Sequence, residues 1–226
     1  MLKEAQQHEA AFKDDEALKV YLEILKHQPN HLQALCKVSE LYTLAGKLQA
    51  KSDQQKAYYR NAKAYAQKAL QVNANSAEAN VMMSIAMGRM ALIASGKEKI
   101  VAVREIKSYS ERAIQLDPNN FKAYHVLGKW HYEVHELSAA VKWLVKVTYG
   151  ALPKASLDDA LKYYEKSKQL KPGFVLNYLE IAKVYHAKDD DKKAIEFIEA
   201  MMKLPNTTSN DASAREEAKE LLKDWK

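Results

Sequence analysis

The chain has 226 residues, 35 Lys and Arg against 29 Asp and Glu, six Gly, five Pro and a single cysteine, Cys36. That length supports a sizeable core, as one elongated domain or at most two compact ones. The scarcity of turn formers excludes a turn-rich β fold, and one cysteine excludes an internal disulfide and a Cys-rich metal site, leaving Cys36 as a small buried hydrophobe. No apolar run approaches the ~18 residues that span a bilayer, and no basic-then-apolar leader precedes the first helical stretch. Met1-Leu2-Lys3 reads as the inside of a helix without a capping residue, so a leader or anchor removed upstream leaves the compartment open.

The formal charge of +6 is unevenly spread. Lys47, Lys51, Lys56, Arg60, Lys63 and Lys68 stand against Asp53 alone between 47 and 71. Such a stretch is either a solvated outer helix face or a surface for an acidic protein or anionic lipid.

In chain order, helices come in pairs closed by short Pro or Asn turns. Leu2 to Phe12, broken at Lys13-Asp14-Asp15, precedes a helix with Ala17, Tyr21 and Ile24 on one face, ended by Pro29-Asn30. Leu35, Val38, Ser39 and Tyr42 open a second pair, whose closing helix carries Ala62, Ala66, Ala69 and Leu70 and turns at Asn73-Ala74-Asn75. A third runs from Ser76 through Asn80, Met83, Ser84 and Met87 and closes with Ile106, Ser110, Ala113 and Leu116. Asp117-Pro118-Asn119-Asn120 is then a stop followed by a start, because proline cannot continue a helix and asparagine caps the next one. The fourth pair begins near Phe121, with Tyr124, Leu127, Gly128 and His131 on one face and Gly128 admitting close approach of a neighbour. Its closing helix holds Ala160, Tyr164, Ser167 and Leu170 before Lys171-Pro172-Gly173. Tyr178, Ile181, Ala182 and Tyr185, then Ala194, Ile198 and Met201, make the fifth pair, ended at Leu204-Pro205. A final helix, Asp211 to Trp225, offers Ala214, Ala218, Leu221, Leu222 and Trp225 as the apolar side of a terminal cap.

Small and aromatic residues at these spacings, with Ala182 and Ala194 twelve apart, resemble tetratricopeptide repeats, whose period is about 34 residues. The resemblance implies an all-α, superhelical array of about five helix pairs within a single domain over 1–226. The repeats are at approximately 1–29, 30–75, 76–118, 119–172 and 173–205, with a capping helix over 210–225. Three successive pairs carry insertions between their helices. Those at 47–61 and 90–103 read as helical extensions. The third holds a short apolar helix, Ala139 to Thr148, stopped by Gly150 and Pro153, before Ser156 and Asp159 restart the chain as a capping box.

WHYEVHELS at Trp130 to Ser138, with GALPKASLDDALKYYEKSKQLKPGF at Gly150 to Phe174, is similar to the regulator of microtubule dynamics family, including its bacterial homologues, over most of the chain from about Gln33. That resemblance implies a non-enzymatic tetratricopeptide protein without a cofactor. It also implies association with microtubules or organelle membrane contacts, as in animal members, and lipid binding, known within the family.

The repeat register puts the first helix of each pair on a concave side, where Val81, Met82, Ile85, Arg89, His125, Lys129, Tyr132, Glu133, Lys183 and His186 are the candidate ligand-binding residues. Arg89 and Lys129 would meet a carboxylate or headgroup, and the apolar side chains the rest of a peptide or lipid-like ligand. Cys36, Glu40, Val81 and Ile85 stand where a carboxylate-clamp groove needs Lys, Arg and Asn, so that clamp is not expected. Val81 to Ser95 is apolar on nearly every face: either it borders an apolar cavity lined by Met82, Met83, Met87 and Met90, or the inserted helix at 139–148 folds over it as core.

His131 and His135 lie four apart, a zinc-compatible spacing, but Tyr132 stands where a metalloprotease needs Glu, and packing is the plainer role. Asn206-Thr207-Thr208 fits a glycosylation sequon and reads equally as a polar turn. No nucleophile, base and oxyanion donors assemble into a catalytic set, and Tyr58, Tyr59 and Tyr65 among the basic residues suit helix packing better than nucleic acid. The reading is a binding scaffold for a protein, peptide or apolar ligand. The alternative is association with the cytoskeleton or another acidic partner through 47–68.

Overall fold

The computed structural model describes residues 1–225, which form twelve α-helices and, among the described residues, no strand. By compactness the chain divides after Pro118, inside the stop-and-start sequence, into unit 1, Met1–Pro118, and unit 2, from Asn119 onward.

Unit 1 contains α1 (Leu2–Ala10), α2 (Asp14–His27), α3 (Leu32–Lys47), α4 (Ser52–Val72), α5 (Ala77–Ile93) and α6 (Gly96–Leu116). They pack as three hairpins, α1 with α2, α3 with α4 and α5 with α6. The insertions at 47–61 and 90–103 do lengthen helices: α4 starts at Ser52 and α6 at Gly96. Ala17, Tyr21 and Ile24 of α2 bury against Ala5, Ala34, Val38 and Leu41. Where the hairpins close, Ser39 Oγ donates to the Ala62 carbonyl at 2.8 Å and Ser84 Oγ to the Ile106 carbonyl at 2.8 Å. A small side chain therefore lets the second helix in, and its buried hydroxyl is satisfied by a second bond to a helix carbonyl.

Unit 2 contains α7 (Phe121–Glu136), α8 (Ala139–Tyr149), α9 (Leu157–Leu170), α10 (Val175–Ala187), α11 (Asp191–Met202) and α12 (Asp211–Asp224). Asn120 caps α7 by accepting from Ala123 N–H at 3.1 Å, and Ser156 caps α9 by accepting from Asp159 N–H at 3.0 Å. α7 pairs with α9, with α8 as an excursion between them, and α10 pairs with α11. At Gly128 an added Cβ would lie 2.8 Å from Cδ1 of the buried Tyr164 ring, so glycine is what permits this approach of α9. α12, through Ala214 and Ala218, and Trp225 just after it cover the last pair. Its first residue, Asp211, is buried and accepts from Thr207 N–H at 2.6 Å and Thr208 N–H at 3.0 Å, so Asn206-Thr207-Thr208 is a polar turn fastening the cap.

One expectation is corrected. The inserted helix α8 does not bury its apolar side chains as core. Val141, Trp143, Leu144 and Val147 are all exposed, and only Val145 is buried.

Candidate functional site

In unit 2 the first helices of the last two pairs put a lysine in the same slot, one residue after the small residue that admits the partner helix: Lys129 after Gly128 on α7, and Lys183 after Ala182 on α10. Both reach Glu180, only 3% exposed. Glu180 Oε1 accepts from Lys129 Nζ at 2.9 Å and lies 3.7 Å from Lys183 Nζ, and Oε2 is 3.5 Å from the Tyr164 hydroxyl. Burial would push this carboxyl up. Lys129 first, then Lys183 and His125, outweigh burial and hold it down at about 2. Tyr164 is shifted the other way, by burial and then by the Glu180 charge, so its phenol stays a proton donor.

Behind this cluster lies a second polar layer. Asn177, wholly buried, donates from Nδ2 to the Tyr164 carbonyl at 2.9 Å, and its Oδ1 is 2.9 Å from His125 Nδ1. The His125 ring packs edge-on against Phe174 at 4.8 Å between centroids. On the outer side Lys129 also pairs with Glu133 at 3.5 Å and Lys183 with Glu217 at 2.5 Å, and those two carboxylates are 61% and 45% exposed. Tyr132 is half-buried, its phenol pushed up by burial and then by Glu136. The lysines are thus anchored from within by a buried charge and held from without by wet, weakly worthwhile partners. A ligand carboxylate or phosphate can replace an outer partner without uncovering the inner one.

Five of the predicted residues therefore gather here: His125, Lys129, Tyr132, Glu133 and Lys183. His125 serves as inner support, not as a groove residue. His186 is engaged elsewhere, its Nδ1 2.6 Å from Asp191 Oδ1 and its ring stacked at 4.6 Å on Trp225 of the cap. In unit 1, Ile85 and Arg89 of α5 are partly exposed, whereas Val81 and Met82, expected on an open wall, are fully buried. A helix apolar on nearly every face buries those side chains rather than lining a groove with them. The cleft lined by Asn80, Ser108, Tyr109, Glu111, Arg112 and Gln115 includes none of the predicted residues.

Glu180 and Asn177 were not foreseen. The available signal was the pair of lysines in equivalent slots of successive repeats, which demands a counter-charge, and Glu180 stands three residues before Lys183. His131 is buried, its ring stacked on Tyr163 at 5.3 Å, and His135 Nδ1 faces Glu136 at 3.2 Å. No three His, Cys, Asp or Glu side chains come together in a way that would hold a metal among the described residues.

The family described as Regulator of microtubule dynamics protein 1-3 matches residues 1–226. The chain belongs to that family. It is 28% identical over 192 residues to Regulator of microtubule dynamics protein 3 of Rattus norvegicus, covering 83% of this chain and 40% of the relative. With Regulator of microtubule dynamics protein 1 of Bos taurus it shares 29% over 160 residues, 70% of this chain and 50% of the relative. The chain thus spans about half or less of the length of these relatives. Among solved structures, a thermophilic tetratricopeptide protein of Thermus thermophilus matches 98% of this chain and 96% of its own with a TM-score of 0.71 at 14% identity. MamA of Desulfovibrio magneticus RS-1 matches 88% of this chain and 90% of its own with a TM-score of 0.52 at 18% identity. The fold is that of a tetratricopeptide array. Among the described residues no helix is long and apolar enough to cross a membrane.

Proposed function

We propose that the chain is a non-enzymatic binding scaffold, and that Lys129 and Lys183, steadied by Glu180, receive a carboxylate of a partner peptide. The observation that carries this reading is the pair of lysines on α7 and α10 sharing one buried counter-charge while their outer partners, Glu133 and Glu217, remain exposed. A peptide is favoured over a lipid-like ligand because Val81 and Met82, the apolar part of the expected wall, are buried, and the groups beside the lysines are polar. Fluorescence polarisation with labelled acidic peptides is the test. Lys129→Gln combined with Lys183→Gln weakens binding about tenfold or more, and Glu133→Gln, by removing a competitor, strengthens it. Equal binding by the double variant removes the reading, and co-purified lipid released on organic extraction replaces the peptide with an apolar ligand.

A second reading rests on α4. Lys56, Arg60 and Lys63 follow one another at helical spacing, with Arg60 exposed and Lys56 paired only loosely with the fully wet Asp53 at 3.6 Å. Together with the microtubule role in the family's name, this supports contact with an acidic polymer. Salt-sensitive co-pelleting with microtubules, lost on charge reversal at all three positions, is the expected result, and pelleting unchanged by that reversal rules it out.

A further inference from the structure

α8 wears its apolar residues outward. Val141, Trp143, Leu144 and Val147 are 42%, 65%, 58% and 64% exposed, against 7% for Val145. At about 100° per residue, Trp143, Val147, Ala140, Leu144 and Val141 sweep one arc, interrupted only by Thr148 between Leu144 and Val141. Beyond Val141 come Val145, which is buried, then Tyr149 with Lys142 next to it, and Lys146 stands between Lys142 and Trp143 at the edge of the arc. The helix is held ready-made: Ser138 caps it, and Lys142 Nζ donates to the His135 carbonyl at 2.6 Å. A contiguous apolar arc of this kind on a protein surface marks an interaction site.

Charge identifies what covers it. From Leu137 to Leu157 the sequence has Lys142, Lys146 and Lys154 and no Asp or Glu. A second copy laid on the arc would oppose lysine with lysine, whereas an anionic surface is attracted. Lysine is depleted from protein–protein interfaces, and a tryptophan at the border between an apolar arc and a lysine edge is the pattern of a helix lying in the headgroup layer of a bilayer. Eleven residues are too short to cross one. We infer that α8 docks flat on an anionic lipid surface, with Trp143, Leu144, Val147 and Val141 at the acyl boundary and Lys146 and Lys154 toward the phosphates. The insertions of unit 1 repeat the combination on their own hairpin tips: Leu92 is 67% exposed near Lys97 and Lys99, and Leu48 is 61% exposed beside Lys47 and Lys51.

The inference uses no residue of the Glu180 cluster, so either can fail alone. The experiment is flotation of the chain with phosphatidylcholine vesicles, with and without phosphatidylserine, together with tryptophan emission. Trp143 is exposed while Trp130 and Trp225 are 3% and 9% exposed, so a change in the wet indole is separable. Co-flotation with the phosphatidylserine vesicles and a blue shift are expected, with about fivefold weaker partitioning for Lys146→Gln. Flotation is lost and the emission stays unshifted in the double variant Leu144→Ser, Val147→Ser, which keeps the Trp143 reporter and whose exposed positions leave the far-ultraviolet circular dichroism unchanged. Absence of flotation with phosphatidylserine, or equal flotation of the double variant, overturns the inference. So does a wild-type dimer in sedimentation velocity that the double variant abolishes, which would give the arc to a second copy.

Discussion

Lys129 Nζ on α7 and Glu180 Oε1 on α10 stand 2.9 Å apart, joining a lysine that is two-fifths exposed to a carboxylate that is almost wholly buried. This pair ties the first helix of the fourth hairpin to the first helix of the fifth.

Acid should loosen that tie in a defined window. The folded carboxyl is held at about 2, below an unfolded glutamate near ~4.3, so its contribution is complete above the unfolded value and is lost as pH falls through the folded one. The amount is on the order of 2–3 kcal/mol. Urea midpoints measured stepwise from neutral pH down to about 2 should fall across that window, and Glu180→Gln should flatten this share of the fall.

At neutral pH, Glu180→Gln is expected to cost roughly 2 kcal/mol, less than a fully buried pair because Lys129 can turn to water. Asn177→Ala should cost a similar ~1–3 kcal/mol by leaving a cavity and taking its partner from a buried nitrogen of His125. Chemical denaturation of each single variant and of the double variant measures both costs and their coupling.

Two glycine substitutions should move stability in opposite directions. An alanine methyl at Gly128 meets Cδ1 and Cγ of Tyr164 at 2.8 and 2.9 Å, the rigid root of a buried ring, for a cost of about 1–3 kcal/mol. At Gly88, within α5, the same methyl meets nothing within 4 Å, so alanine's better helix propensity should add about 0.5–1 kcal/mol. Paired thermal melts decide this.

Asp211→Ala should unfasten the cap. Its carboxylate takes bonds from Thr207 and Thr208 through both backbone N–H groups and both hydroxyls. Losing them is expected to cost roughly 2 kcal/mol and to expose α12 to trypsin at Arg215 and Lys219 before the rest of the chain is cut.

The hairpin order is legible because each junction carries its own chemistry. Pro118 stops α6, Asn120 caps α7, and Ser156 with Asp159 restarts the chain after the insertion. The small residues Ser39, Ser84 and Gly128 likewise announce where the second helix comes close. Glu180 is not legible in this way. A glutamate among Leu179 and Ile181 reads as a wet position unless its partner, 51 residues earlier, is already known to face it. α8 fails for the converse reason. Its periodicity reveals an apolar arc but not whether protein covers it, so Val141, Leu144 and Val147 pass for core. Val81 and Met82 err the opposite way, because a register that marks the inner wall does not say how closely neighbours shut over it.

The hydroxyls of Ser39 and Ser84 have a mechanical corollary. Each is bonded to a carbonyl on the opposite helix of its hairpin, Ala62 and Ile106, in a site without water access. Sliding one helix along the other by a single residue would break both bonds. Each hairpin is therefore locked in register like a toothed rack, and any give in unit 1 under load must arise where one hairpin meets the next.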